Sequence, residues 1–571
     1  VASDHASAEL LGAMSKLLIG VRDVALRLEV DDVDTARTTQ AKLVDQLSDY
    51  VLPRLVQLDA PLLTVVGGST GAGKSTLVNS LVGERVTESG VLRPTTRSPV
   101  LVYHPDDAEW FLPDRILPDL PRTDVPTNDT YALRLASSDK VPRGLAILDA
   151  PDVDSIDKGN RDLAAQLLAA ADLWLFVTSA ARYADQVPWD YLRQASERST
   201  SVAVVLDRTS AEAVVEVRGH LARMMTSRGL SDSPLFTVPE SGVDADGLLP
   251  SESVSPIVVW LHELAADPAA RQMVVGRTLD GAVRHVVLRA HDVADAMDTQ
   301  IAAAEVLHGE VETIFRKALD TFATQSADGT ILRGEVLARW QEFVGTGELL
   351  RSVEEKVSRI RDRFVDGVTG KRTRSTEVVE AIESGLQMLL VEHAEAAAEA
   401  GSRAWASVPA GRTLLAANRG IDRASRDFRV RAERMVHDWR QSVLELVRVE
   451  GADKRMTARF LAFGVNGIGV ALMVVVFSRN GEGKEAGGTA ALAHKLLDAI
   501  FGEEVVISLA DRAQADLEAR AAGLFQSEIQ RFLDLVESPQ TIKANQDVLR
   551  ESARQAEYAR HSDFLNGEPT P

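Results

Sequence analysis

An apolar run, Leu62 to Val66, leads directly into Gly68-Ser69-Thr70-Gly71-Ala72-Gly73-Lys74-Ser75, and an apolar helix start (Thr76, Leu77, Val78, Leu81) follows at once. A buried strand, a glycine-rich turn and a helix in that order leave few folds open. The eight residues fit G-x-x-x-x-G-K-[ST], whose chemistry is specific. Glycines let backbone N–H groups close around phosphate oxygens, and the helix N-terminus adds the positive end of its dipole. Lys74 is then placed to reach the β and γ phosphates, and the Ser75 hydroxyl to ligate Mg²⁺. Gly68 to Thr76 are accordingly the candidate nucleotide-binding residues.

The surroundings agree with a sheet. Further short apolar runs occur at Val100 to Tyr103, Leu145 to Leu148, Leu173 to Val177, Val202 to Leu206 and Leu235 to Val238, alternating with helical segments. That alternation predicts a mostly parallel sheet with helices on both faces. Seventeen of the 21 prolines lie at or before Pro268. Long helices are therefore expected afterwards, since proline breaks helix interiors. From Leu279 to Phe322 apolar residues recur every three or four positions, one continuous helical stripe. Breaks are expected at Asp328-Gly329, at Gly345-Thr346-Gly347 and around Gly370-Lys371-Arg372. Residues before about 60 also read as helix, with Leu10, Met14, Leu17 and Val21 on one side.

Composition narrows the function. The 571 residues carry 63 Lys plus Arg against 84 Asp plus Glu, a net charge of −21. Wrapping nucleic acid needs a basic footprint, so no nucleic-acid partner is expected. The chain has no cysteine, which excludes disulfides, thiol nucleophiles and cysteine-based metal sites and fits a cytoplasmic location. No H-E-x-x-H pair is present.

Two more segments belong with the glycine-rich turn. Ile147-Leu148-Asp149-Ala150-Pro151-Asp152 ends a strand with a carboxylate, where a P-loop protein needs an acid for Mg²⁺. Arg93-Pro94-Thr95-Thr96-Arg97-Ser98-Pro99 places threonines in a loop that then enters a strand. A threonine there can complete the metal shell and sense the terminal phosphate. In these three motifs, between about residues 60 and 270, the chain resembles the translation-factor-related GTPases, and within them the bacterial dynamin-like proteins and Era-like GTPases of actinobacterial type. The Thr-Arg-x-Pro-apolar pattern is carried by Thr96-Arg97-Ser98-Pro99-Val100.

The resemblance implies an α/β P-loop GTPase domain flanked by a long α-helical bundle, with GTP as substrate and Mg²⁺ as cofactor. Lys74, Thr96 and Asp149 become the expected catalytic residues, with Ser75, Thr96 and Asp149 around the metal; Thr95 is the nearest rival to Thr96. Arg93 and Arg97 are candidates for an arginine finger by location alone. Three positions depart from the family pattern. Asp152 stands where the third motif has glycine, Gly71 where dynamins have a cation-binding serine, and Asp207-Arg208-Thr209-Ser210 where the guanine-reading motif ends in aspartate. Ser210 lacks the carboxylate that selects guanine, although Arg208 can stack on a base. The residues alone therefore leave GTP and ATP open.

Phe460 to Phe477 is eighteen residues without a charge, flanked by Lys454, Arg455 and Arg459 before it and Arg479 and Lys484 after it. The length reaches the lower limit for spanning hydrocarbon, and the flanks suit anionic headgroups. A hydrophobic membrane-type segment is expected here, against the alternative of a buried bundle helix. The predicted division is N-terminal bundle helices over 1–58, the GTPase domain over 59–272, and the helical bundle over 273–458. A paddle or membrane hairpin follows over 459–510, then a returning helix over 511–560 and a disordered tail over 561–571. The reading that follows is GTP hydrolysis coupled to membrane binding, remodelling or tethering at the inner face of the cell membrane. Anionic lipid is the expected partner, with a homodimer or hetero-oligomer formed through the nucleotide domains. A slow nucleotide-gated scaffold, with ATP open as its nucleotide, is the alternative class.

Overall fold

The computed structural model describes residues 2–88, 98–112, 116–117, 120–127, 129–155, 157–198, 200–344, 364–452, 458–479 and 486–565. They form two units, one of residues 1–27, 32–299 and 542–571, the other of residues 28–31 and 300–541.

The first unit is built on an eight-stranded sheet. Its strands are β1 (Leu62–Gly68), β2 (Val100–Tyr103), β3 (Arg122–Thr123), β4 (Leu133–Ser137), β5 (Leu145–Asp149), β6 (Leu173–Ser179), β7 (Ser201–Thr209) and β8 (Leu235–Pro239). They run in the order β3-β4-β2-β5-β1-β6-β7-β8. Every pairing is parallel except β2 with β5. All six apolar runs read from the sequence are strands. β3 and β4 carry no apolar run, because they are short and β4 is only partly buried.

Central strands covered on both faces need apolar residues at every position, and β1 is buried throughout. Leu63 and Val65 point to a core filled by Leu163 and Leu167 of α5 (Lys158–Ala169), Trp189 and Leu192 of α6 (Gln186–Glu197), and Leu221 of α7 (Val214–Ser227). Leu62 and Val66 point to the other core. It takes Leu77 and Val78 from α4 (Lys74–Val82) and Ile257 and Leu261 from α8 (Ser251–Ala266).

This unit extends beyond residues 59–272. It takes in α1 (Ala2–Asp23), α2 (Val33–Gln46), α3 (Leu52–Val56), the first part of the long helix α9 (Pro268–Ala327) and most of the last helix, Pro539–Arg560. The reason is burial and pairing. Leu10, Met14, Leu17 and Leu549 are fully enclosed. Gln546 donates to the Ala294 carbonyl at 2.7 Å, and Arg560 pairs with Asp280 at 2.6 Å. Asp172, just before β6, is a shared anchor. It accepts from the Leu63 N–H at 2.8 Å and the Tyr50 hydroxyl at 3.1 Å, and pairs with Arg54 at 3.0 Å. Of the predicted tail, His561–Leu565 forms a π-helical turn, and 566–571 lie outside the described residues.

The second unit is helical. It contains the rest of α9, α10 (Glu335–Val344), and helices Phe364–Ala406, Pro409–Ala417, Phe428–Glu450, Ala458–Phe477, Ala486–Phe501 and Glu503–Leu533. The break at Asp328-Gly329 is present. The one at 345–347 lies outside the described residues. Helix Phe364–Ala406 runs through Gly370, correcting the third: an isolated glycine costs a helix only about 1 kcal/mol.

The expected membrane-type segment is also corrected as a spanning element. Helix Ala458–Phe477 is interrupted at Gly464, whose φ of 64° and ψ of 174° are not helical. The arm from 465 to 477 is about 20 Å long at the helical rise, against about 30 Å of hydrocarbon. Ile468 and Val470 to Phe477 are buried within the unit. The Phe477 ring lies 5.4 Å from that of Trp439, whose indole N–H donates to the Ala513 carbonyl at 2.8 Å. A Cβ on Gly469 would fall 2.5 Å from Leu444 Cδ2, so glycine permits this close helix approach. Among the described residues no helix is long and apolar enough to cross a membrane.

Candidate functional site

The candidate residues collect at the C-terminal edge of the sheet, where β1 lies between β5 and β6. Open α/β sheets bind ligands at such a point, because the chain leaves neighbouring strands toward opposite faces and opens a crevice. Register brings the segments together: Val66 pairs with Asp149, Gly68 with Val177, and Ser179 with Asp207. Two glycines are obligatory. A Cβ on Gly68 would sit 2.0 Å from the Val177 carbonyl oxygen. One on Gly73 would sit 2.2 Å from Asp207 Oδ2, in a backbone with φ of 97°.

Lys74 opens α4 and is buried. Its ammonium donates to the carbonyls of Gly68 and Ser69 at 3.1 Å each and forms a close ion pair with Asp152. Asp149, at the end of β5, is completely enclosed and accepts from the Thr87 hydroxyl at 2.8 Å. Burial pushes its carboxyl above the usual range. The hydroxyls of Ser75 and Thr87 and the charge of Lys74 oppose that shift, and Asp152 adds to it. Thr87 itself is placed by Asn79 of α4, whose side chain accepts from the N–H groups of Val86 and Thr87 at 2.9 Å.

Asp154 adds a link not read from the sequence. Its Oδ1 accepts from the Thr70 N–H at 2.6 Å and the Thr70 hydroxyl at 2.7 Å, and its Oδ2 pairs with Arg182 at 2.8 Å. The acid-rich run after Asp149 hinted at Asp154. Nothing in the spacing pointed to Arg182 or Thr87.

Asp207 packs its carboxylate against Gly73 and accepts from the Arg208 N–H at 2.8 Å. Burial raises its carboxyl to about 6, against the pull of the Arg208 N–H and guanidinium. Arg208 is exposed and adopts φ of 52°, a left-handed conformation uncommon outside glycine. Thr95 and Thr96, with Arg93 and Arg97, lie outside the described residues. The remaining candidates, Lys74, Ser75, Asp149, Asp152, Asp207 and Arg208, are gathered around one turn. For Mg²⁺ the donor set fits: a hard cation prefers oxygen ligands, and the Ser75 hydroxyl faces the Asp149 carboxylate across the start of α4.

A mostly parallel sheet with a G-x-x-x-x-G-K-S turn leaving its central strand is the P-loop α/β class of fold. No family model matches the chain. It is 24% identical over 194 residues to an Arabidopsis thaliana protein described as a probable transmembrane GTPase, FZO-like, chloroplastic. The match takes in 34% of this chain and 20% of that protein, so the chain spans about a fifth of the relative's length. Among solved structures it is similar to one described as an oligomerised bacterial dynamin pair for long-range sensing and tethering of membranes. That likeness has 11% identity and a TM-score of 0.39, over 94% of this chain and 97% of that one. It is also similar to Era in complex with MgGDPNP and part of 16S ribosomal RNA, at 17% identity and a TM-score of 0.24, over 36% of this chain and 56% of that one.

Proposed function

We propose that this chain is a dynamin-like GTPase, which binds GTP with Mg²⁺, hydrolyses it, and couples the cycle to a membrane surface. The observation that carries the reading is the placement of Lys74 and Asp149 on either side of the P-loop turn, at the edge where the β1 and β5 strands end. Lys74 orients the phosphates and offsets their charge. The amides of the turn and the N-terminus of α4 hold the β-phosphate oxygens. Ser75 and Asp149 would hold the metal, which when bound neutralises charge on the phosphate oxygens. Hydrolysis joins a water oxygen to the terminal phosphorus and breaks its bond to the bridging oxygen, releasing GDP and phosphate. Thr96, ahead of β2 in the sequence, is assigned to the terminal phosphate by its motif.

The membrane part of the proposal is supported by the naming of the relative as a transmembrane GTPase and by the basic residues around the apolar helix. With residues 468–477 buried in the second unit, the contact we propose is peripheral, on anionic lipid at the inner face of the cell membrane. Assembly would proceed through the nucleotide-binding units of like or related chains. The close Asp152–Lys74 pair favours one second reading, a slow nucleotide-gated scaffold that recruits a partner without remodelling lipid.

Phosphate release with and without anionic liposomes, together with flotation, tests the proposal. GTP turnover with Mg²⁺ that rises on liposomes and falls at least about 100-fold in Lys74→Ala supports it. Turnover insensitive to lipid, with no flotation, favours the scaffold, and ATP used in preference to GTP rejects the base assignment.

A further inference from the structure

An ammonium group has three N–H donors, and all three on Lys74 have partners: the carbonyls of Gly68 and Ser69 and the carboxylate of Asp152. The two carbonyls belong to the P-loop itself. Only Asp152 comes from another segment and carries a negative charge, so it is the partner that an added anion repels. Its side chain is 19% exposed, whereas that of Lys74 is 5% exposed. The bond therefore sits at the mouth of the site.

The residues around Asp152 hold it there. The Val153 N–H donates to the Gly68 carbonyl at 3.3 Å. Asp154 is tied to Thr70 through both the amide and the hydroxyl, and to Arg182 on its other oxygen. Three consecutive residues thus lie along the P-loop, each bonded to it. A terminal phosphate must meet Lys74 where the Asp152 carboxylate now stands, because two like charges cannot share one ammonium without strong repulsion. The β-phosphate is held by the amides of the turn, and Lys74 can reach it with a donor now given to the Gly68 or Ser69 carbonyl, so it does not have to displace Asp152.

We propose that Asp152 determines which phosphate chain the site prefers, acting as a built-in substitute for the terminal phosphate and so favouring a nucleoside diphosphate over the triphosphate. This rests on the nucleotide-binding reading above. A diphosphate leaves the Asp152–Lys74 pair in place and the 152–154 segment seated. A triphosphate takes the third donor of Lys74 and drives the carboxylate away.

The test is calorimetric titration of the full chain with GDP and with a non-hydrolysable GTP analogue, both with Mg²⁺, for the wild type and for Asp152→Asn, Asp152→Gly and Asp152→Glu. The expected result is a ratio of triphosphate to diphosphate affinity raised about tenfold or more in the Asn and Gly variants. The Glu variant, which keeps the charge, should stay near the wild type. Equal gains for both nucleotides would show a general loss of repulsion and overturn the inference while leaving nucleotide binding intact. An unchanged ratio in both the Asn and Gly variants would do the same. No uptake of either nucleotide by any of the four proteins would overturn the inference and the nucleotide-binding reading together.

Discussion

Asp207 and His285 show how burial sets the pH behaviour of single residues in the first unit. Asp207 has its carboxyl raised from 3.8 to about 6, chiefly by burial against Gly73. The folded state therefore holds its proton more tightly than the unfolded chain does. Its favourable contribution is complete below pH 3.8 and disappears as pH rises through 6. His285 on α9 is lowered from 6.5 to about 4, first by burial and then by the charge of Arg198. Its contribution runs the other way, rising as pH climbs from 4 to 6.5. The two oppose each other over that window, so the intact protein hides both. Asp207→Asn should expose the effect, because the amide oxygen can still accept from the Arg208 N–H. Denaturant unfolding should find the variant more stable by about 2 kcal/mol at pH 7.5 and no more stable than the wild type at pH 4. Equal stabilities at both pH values would mean that Asp207 is not strained by burial. At this scale Lys74, Ser75, Asp149 and Asp152 were legible in the sequence, since each belongs to a motif at the end of an apolar run, and the register of β1 with β5 brings the two motifs together. Thr87, Asp154 and Arg182 were not, because their partners depend on where distant loops return to the sheet edge.

Elements were legible to the extent that one face or period governs them. Each apolar run became a strand because a strand covered on both sides must be apolar throughout. β4 is not legible as an apolar run because it is mostly half-exposed and carries Arg134 in its interior. Helix Ala458–Phe477 is the instructive case. Its composition suits lipid and bundle centre equally, and the sequence does not show that Gly464 breaks it or that Trp439 and Leu444 line its path. Val474 is fully enclosed by the second unit. Val474→Asp should accordingly cost about 3 kcal/mol or more, by burying an unpaired carboxylate, and thermal unfolding of the second unit would report it. A shift within a few tenths of a kcal/mol would show that this helix leaves the bundle in solution.

In the whole molecule, the first unit is assembled from three stretches of chain separated by residues of the helical unit. The last stretch is integral to it. Gln546, Arg550 and Arg560 bond to the Ala294 carbonyl, Asp295, Asp298 and Asp280, while Leu549, Ala553 and Ala556 are enclosed. Removal of residues 542–571 should lower the melting temperature of the first unit by several degrees or more, as expected for loss of a buried helix face. It should also weaken nucleotide binding, although no P-loop contact is deleted. Unaltered melting would mean that these bonds contribute nothing net. The same arrangement constrains the order of events during translation. A ribosome must release residues 300–541, about two fifths of the polypeptide, between making the first-unit part of α9 and making the segment that closes over it. Until then the Gly20 side of α1 lacks Leu549 and Ser552 as neighbours and the Ala294 carbonyl lacks Gln546, so a nascent chain paused before residue 542 presents an adhesive surface to chaperones or to other nascent chains.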